Sequence, residues 1–276
     1  MPESWNVSYA SMAVMALVGL FTVVFPLGLG LVFWKRCGGR WRFFLLGCVI
    51  FPLFALTLEG SVNRAVLYGP MGGAVTGNLW LYALFGGAMA GIFEECGRWV
   101  AFRLGRRWTQ GPGAAFRLTR RWSRGPEDAL MYGAGHGGIE AALLAGSMML
   151  NNLLVSMALN QDGLAGVEAL MGTGPLSDAQ IATLVPLVTA PAGMYLWSGF
   201  ERVVAIAIHL SLSVLVYAAV RNRSWKGLVL AILLHAGVDA CAILTSAWLP
   251  IAGVELAALI WAVGLVLLAR RTYASL

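Results

Sequence analysis

Gly91-Ile-Phe-Glu-Glu-Cys-Gly-Arg-Trp-Val100 places two adjacent carboxylates and an arginine inside a stretch that otherwise reads as membrane-spanning. A charge near the bilayer centre costs roughly 2.5–3.5 kcal/mol on insertion scales, so an intramembrane ionisable group marks a functional site and requires partners. Working outward from Glu94, Glu95 and Arg98 therefore means asking which other segments bring polar groups to the same depth.

Composition fixes the class. The 276 residues are 59% hydrophobic and only 12% charged, with a mean hydropathy of +0.76. Soluble domains carry about 25% charged residues, so the chain is expected to be an all-α, polytopic transmembrane helical bundle. The net charge of +6 comes from arginines in short loops, which reads as topology signal and contact with anionic headgroups of the bilayer, with no nucleic acid expected. Cys37, Cys48, Cys96 and Cys241 form no Cys-x-x-Cys pair, so neither a disulfide framework nor a cysteine metal site is implied. The first eight residues lack a basic n-region and lead into about 25 apolar residues, a retained span rather than a signal peptide.

Apolar segments of spanning length fall near residues 9–34, 42–58, 78–102, 128–151, 199–220, 227–247 and 249–269. Basic residues crowd Lys35–Arg42, Arg103–Arg124, Arg221–Lys226 and Arg270–Arg271, while the opposite loops hold Glu59, Asp162, Glu168 and Asp178. The positive-inside rule then predicts seven spans, the N-terminus outside and the C-terminus cytoplasmic. Residues 179–197 offer an eighth span as the alternative. Pro186, Pro191 and Gly193 interrupt them, and Ser177 with Gln180 reads as a capping box opening an outer-face or re-entrant helix. The expected organisation is one integral-membrane domain, 1–276, with a catalytic helix core at 78–247. A basic loop at 103–127 carries a 14-residue tandem duplication: Phe102-Arg-Leu-Gly-Arg-Arg-Trp108 recurs as Phe116-Arg-Leu-Thr-Arg-Arg-Trp122. That loop reads as a topology-setting linker or a basic-aromatic arm on anionic lipid.

All three histidines lie in predicted spans. At about 1.5 Å per helical residue from the basic boundaries, Glu94 lies ~14 Å deep, His136 ~12 Å, Glu140 ~18 Å, His209 ~18 Å, His235 ~14 Å and Asp239 ~20 Å. Four separate spans thus deliver polar groups to one layer. His136/Glu140 and His235/Asp239 are i,i+4 pairs, each on one helix face. Imidazoles and carboxylates from facing helices suit a divalent metal, zinc first. Gly87 and Gly91, with Gly133, Gly135, Gly137 and Gly138, are expected to let the third and fourth spans approach closely. Glu95 and Arg98, three apart, read as a neutralised structural pair, which leaves Glu94 available as general base. Taken singly, each histidine also reads as an interhelical hydrogen-bond partner. A metal would acidify water and polarise a carbonyl, the division of labour of zinc peptidases, although the His-Glu-x-x-His motif is absent.

At these residues the chain resembles the YhfC-type intramembrane metalloproteases, grouped with PrsW and the type II CAAX prenyl endopeptidases. Glu94-Glu95-x-x-Arg98 is similar to the clan's Glu-Glu-x-x-Lys/Arg motif. Asp128-Ala-Leu-Met-Tyr-Gly-Ala-Gly-His-Gly-Gly-Ile-Glu140 resembles the PrsW-like helix, and His235-Ala-Gly-Val-Asp239 matches the closing His-x-x-x-Asp/Asn motif. The resemblance implies that Glu94 activates water, that Glu140, His209 and His235 bind metal or water, and that Asp239 supports His235. Tyr132-x-x-x-His136 also imitates the Phe-x-x-x-His motif, so His136 or Glu140 can be the ligand on that helix. The arginine stands one residue closer to the glutamates than in the CAAX form, which leaves its partner glutamate open.

The expected protein is thus a metal-dependent endopeptidase of the bacterial cytoplasmic membrane, cleaving a membrane-embedded or membrane-anchored peptide near the cytoplasmic face. Intramembrane Asp/Glu/His chains also build ion-coupled transporters, and a non-catalytic scaffold of the same fold is the third reading.

Overall fold

A computed structural model describes residues 5–107, 125–172 and 174–276; among them every regular element is helical. The duplicated basic loop falls largely outside the described residues. Six helical segments are long and apolar enough to cross a membrane: Tyr9–Cys37, Trp41–Leu67, Glu127–Met171, Met194–Arg221, Trp225–Ser246 and Ile251–Ala274. Helix α1 is Tyr9–Val32, followed by a π-helical turn, Phe33–Cys37. Helix α2 (Trp41–Phe51) widens into a π-helical stretch at Pro52–Glu59, where the proline has no N–H to give the helical ladder. The segment then continues as α3 (Gly60–Leu67), so it ends nine residues beyond the boundary expected from hydropathy. A short α4 (Gly72–Thr76) leads into α5, Leu79–Arg107, whose 29 residues carry Glu94, Glu95 and Arg98.

Helix α6 (Glu127–Ala141) passes through a π-helical turn, Ala142–Gly146, into α7 (Ser147–Met171). This run extends well past residue 151, to a length that exceeds a ~20-residue crossing. It breaks at Asp162 and Gly163, where Gly163 adopts φ +61°, a region open to glycine at little cost. Helix α8 (Asp178–Thr189) opens on the expected capping box: Ser177 accepts from the Gln180 backbone N–H while the Gln180 side chain accepts from the Ser177 N–H. Ala190 is extended before Pro191, as a residue preceding proline tends to be. The helix stops there, and Tyr195–Trp197 belong to α9 (Met194–Arg221) instead. Helices α10 (Trp225–Ser246) and α11 (Ile251–Ala274) complete the chain.

The chain divides into two compact units. In the first, Met1–Val24 with Ala141–Arg202, the core gathers Val7, Met15, Val18, Met149, Leu159 and Leu187. Here Asn160 clasps the peptide unit at Val7, accepting from its N–H at 2.7 Å and donating to its carbonyl at 2.8 Å. In the second, Phe25–Glu140 with Val203–Leu276, buried Phe44, Phe102, Tyr132, Ile208, Leu212 and Tyr217 form the core. Helix α9 is the most enclosed of the candidate spans: 78% of the residues in its most apolar stretch are buried, against 17% in α10 and in α11. The latter two show large exposed side chains such as Leu233, Leu256 and Ile260, as helices facing lipid do.

The glycines act at different interfaces from the one expected. Gly87 and Gly91 of α5 lie against the backbone of α10, not of α6; a Cβ on Gly91 would stand 2.6 Å from the Ile232 carbonyl oxygen. Gly135 of α6 meets the Phe44 backbone of α2, and Gly133 packs on Leu210 of α9. Small residues bring backbones together wherever their own helix face points, and sequence spacing alone does not name the neighbour. Among the described residues α5 pairs extensively with α10.

Candidate active site

Helix α5 is a 29-residue helix with a polar face at mid-length, and α6, α9 and α10 each turn a histidine toward it. The i,i+4 spacing of His136 and Glu140 puts both on one face of α6. From there His136 Nε2 contacts Glu94 Oε2 at 2.9 Å. His209 comes from α9; its Nε2 lies 2.5 Å from Glu140 Oε2 and its Nδ1 lies 3.9 Å from Glu94 Oε2. His235 of α10 bonds Glu95 Oε1 through Nδ1 at 2.7 Å and faces Asp239 Oδ2 with Nε2 at 3.6 Å. The imidazoles form a row, with ring centroids 4.9 Å apart for His136 and His209 and 5.6 Å for His209 and His235.

Glu94, Glu95, Arg98, His136, His209 and His235 are all buried, and Asp239 is the more open member, its side chain 34% exposed. A buried guanidinium is costly unless it is paired and hydrogen-bonded; Arg98 meets that need through its terminal nitrogens, while its Nε has no hydrogen-bond partner among the described residues. Arg98, fully enclosed, donates to the His209 carbonyl at 3.2 Å and meets His209 Nδ1 at 3.1 Å. It lies 3.5 Å from Glu95 Oε1 and 6.0 Å from the centre of the Tyr132 ring, a cation–π distance. Glu95 and Arg98 are paired, as their i,i+3 spacing predicts, but each also reaches a histidine on another helix. That second contact was not visible in the spacing. Tyr132, one turn before His136, turns its hydroxyl to His136 Nδ1 at 3.4 Å, and Phe51 covers the His136 ring edge-on at 5.1 Å. Phe51 precedes the proline where α2 widens; that proline is its one mark in the sequence.

One ligand atom from each of Glu94, His136, Glu140 and His209 lies within 4.8 Å of the others. Zinc bonds of ~2.0–2.1 Å in a tetrahedron separate ligand atoms by about 3.4 Å, and mixed imidazole–carboxylate shells are the donor sets of catalytic zinc. The group fits a divalent metal in both donor chemistry and span, with a small closing movement of side chains.

The six long apolar helical segments define an integral membrane protein, and the Glu/His cluster of the second unit gives it a candidate metal centre. A family model described as YhfC intramembrane metalloprotease matches residues 21–261, and the chain belongs to that family. It is 33% identical over 240 residues to the uncharacterized membrane protein YhfC of Bacillus subtilis (strain 168), covering 86% of each chain. No solved structure matches significantly.

Proposed function

We propose that the protein is an intramembrane metal-dependent endopeptidase, hydrolysing a peptide bond of a membrane-embedded or membrane-anchored substrate near the cytoplasmic face. The observation that carries this reading is Glu94. It is a buried carboxylate held by His136 at 2.9 Å, within 4.8 Å of ligand atoms on Glu140 and His209. In the proposed topology α5 is a seventh span, the N-terminus lies outside, and the substrate reaches the polar layer between helices. The basic loops lie on the cytoplasmic headgroups.

Glu94 takes the proton of a water molecule as its oxygen bonds to the peptide carbonyl carbon. It returns that proton to the nitrogen as the C–N bond breaks. Glu140 with imidazoles drawn from His136, His209 and His235 would hold the metal, zinc first. When bound, that ion supplies Lewis-acid polarisation of a carbonyl and a more acidic water. Burial of the layer excludes bulk water, which strengthens each electrostatic contact inside it. Asp239, at the open edge, steadies His235.

Elemental analysis of detergent-purified protein beside hydrolysis of a membrane-anchored reporter peptide tests the reading. Wild type is expected to carry about one divalent ion and to cleave, and Glu94→Gln to remain folded and lose cleavage by at least ~10²-fold, the lower end of a general base's contribution. A well-folded, metal-free protein indifferent to Glu94→Gln overturns it.

A further inference from the structure

A cavity of about 580 Å³ lies between α9 and α11, and none of its lining residues belongs to the Glu/His layer. Its walls are apolar: Leu210 and Val214 of α9, Val266 and Ala269 of α11, and Leu130 of α6. The one hydroxyl within the α9 wall, on Ser211, donates to the Ala207 carbonyl of its own helix at 2.8 Å. The wall backbones are helical, so their N–H and C=O groups bond one another. From Ala207 to Val214, roughly 10 Å at about 1.5 Å per residue, an occupant meets dispersion contacts and little else. That selects the occupant. A buried water needs about two to four polar partners, and an extended peptide in hydrocarbon needs one for each N–H and C=O. An acyl chain needs none, and the wall runs about two-thirds of the ~15 Å of one hydrocarbon leaflet.

The end of the cavity is basic. Cys37, Arg270 and Tyr273 line it together, so the α1 segment and α11 end at the same membrane face. Those two ends carry Lys35, Arg36, Arg270 and Arg271, all exposed and without an ion pair among the described residues. Glu127 is an acidic neighbour of Tyr273, and the four basic groups leave this end net positive. Basic pockets between spanning helices take anionic headgroups. A guanidinium bonds phosphate oxygens in pairs, and a tyrosine ring suits headgroup level. The geometry points to a binding site for an anionic phospholipid, with an acyl chain between α9 and α11 and the phosphate on Arg270. The site is separate from the Glu/His layer and does not rest on the hydrolytic reading.

The test uses full-length, delipidated protein in detergent, with native mass spectrometry against phosphatidylglycerol and phosphatidylcholine of identical acyl chains. A basic residue at a headgroup is worth roughly fivefold in affinity, so phosphatidylglycerol is expected to bind at least ~5-fold more tightly. Arg270→Gln is expected to remove that preference. Arg221→Gln, at the end of α9 and outside the cavity lining, is the control and is expected to keep it. Val266→Phe, on the wall, is expected to weaken both lipids. Equal binding of the two lipids by wild type overturns the inference. So does an Arg221→Gln that loses as much as Arg270→Gln, the mark of adsorption to any basic surface. A folded Val266→Phe with unchanged binding places the chain elsewhere and overturns it too; should that variant not fold, the arginine pair decides. Glycerol phosphate, which has the charge and no chain, is expected to leave the lipid bound. Its displacing the lipid would make this a free-phosphate site, and displacement by an uncharged transmembrane peptide would make it a helix-docking site; either result refutes the lipid.

Discussion

Gly91→Ala adds one methyl group to α5 at the point where it crosses α10. The new Cβ would lie 2.6 Å from the Ile232 carbonyl oxygen and 3.0 Å from the Ala236 nitrogen, both backbone atoms of a regular helix that cannot rotate away. To reach the 3.4 Å at which ordinary packing begins, the two backbones must part by about 0.8 Å. His235 immediately precedes Ala236. The same displacement stretches its 2.7 Å bond to Glu95 to about 3.5 Å, the limit at which a hydrogen bond ceases to count as one. Overpacking of this kind costs typically 1–3 kcal/mol, and a misplacement near 1 Å at a reacting centre can cost ~10²-fold in rate. Thermal unfolding in detergent and reporter cleavage measure the two effects. Gly28→Ala on α1, with nothing within 4 Å of the new Cβ, is the control. Were Gly91→Ala to unfold at the wild-type temperature and cleave within about threefold of the wild-type rate, the backbone contact would not position His235 and the reasoning from Å-scale placement would fail.

Arg98→Met leaves Glu95 fully buried without its counter-charge, an uncompensated charge worth about 3–5 kcal/mol of destabilisation; denaturation of the single variant beside Glu95→Gln/Arg98→Met is expected to show the double change recovering most of it. Ser177→Ala removes the capping box of α8 and is expected to cost about 1 kcal/mol, read as roughly fivefold faster amide exchange in its first turn with no change in cleavage.

Depth along a helix is linear in residue number, and for that reason the polar layer was legible. Counting inward from the arginine-rich boundaries brought Glu94, His136, Glu140, His209 and His235 to one level, and the described contacts join them there. Rotation about each axis and the choice of neighbouring helix are not linear in anything the sequence displays. Glu95 thus read as the partner of Arg98 alone, though its shortest contact is to His235, 140 residues away. Gly87 and Gly91 announced a close approach without saying that α10 was the helix approached. Span ends were blurred for a related reason. Hydropathy records where apolar residues stop, whereas backbone hydrogen bonding carried α3 and α7 onward until Tyr68 and Gly172 stopped it.

The charges of α5 also impose an order on biogenesis. A nascent chain presents Glu94, and the Glu95–Arg98 pair, before the other helices that contact them: His136 follows Glu94 by 42 residues, and His209 follows Arg98 by 111. At roughly 5–20 residues per second of synthesis, α10 arrives about 7–28 s after α5. In the topology proposed above, in which α5 is a seventh span, such a helix would be a costly guest of the hydrocarbon on its own, and its partners on α6, α9 and α10 would all be made after it.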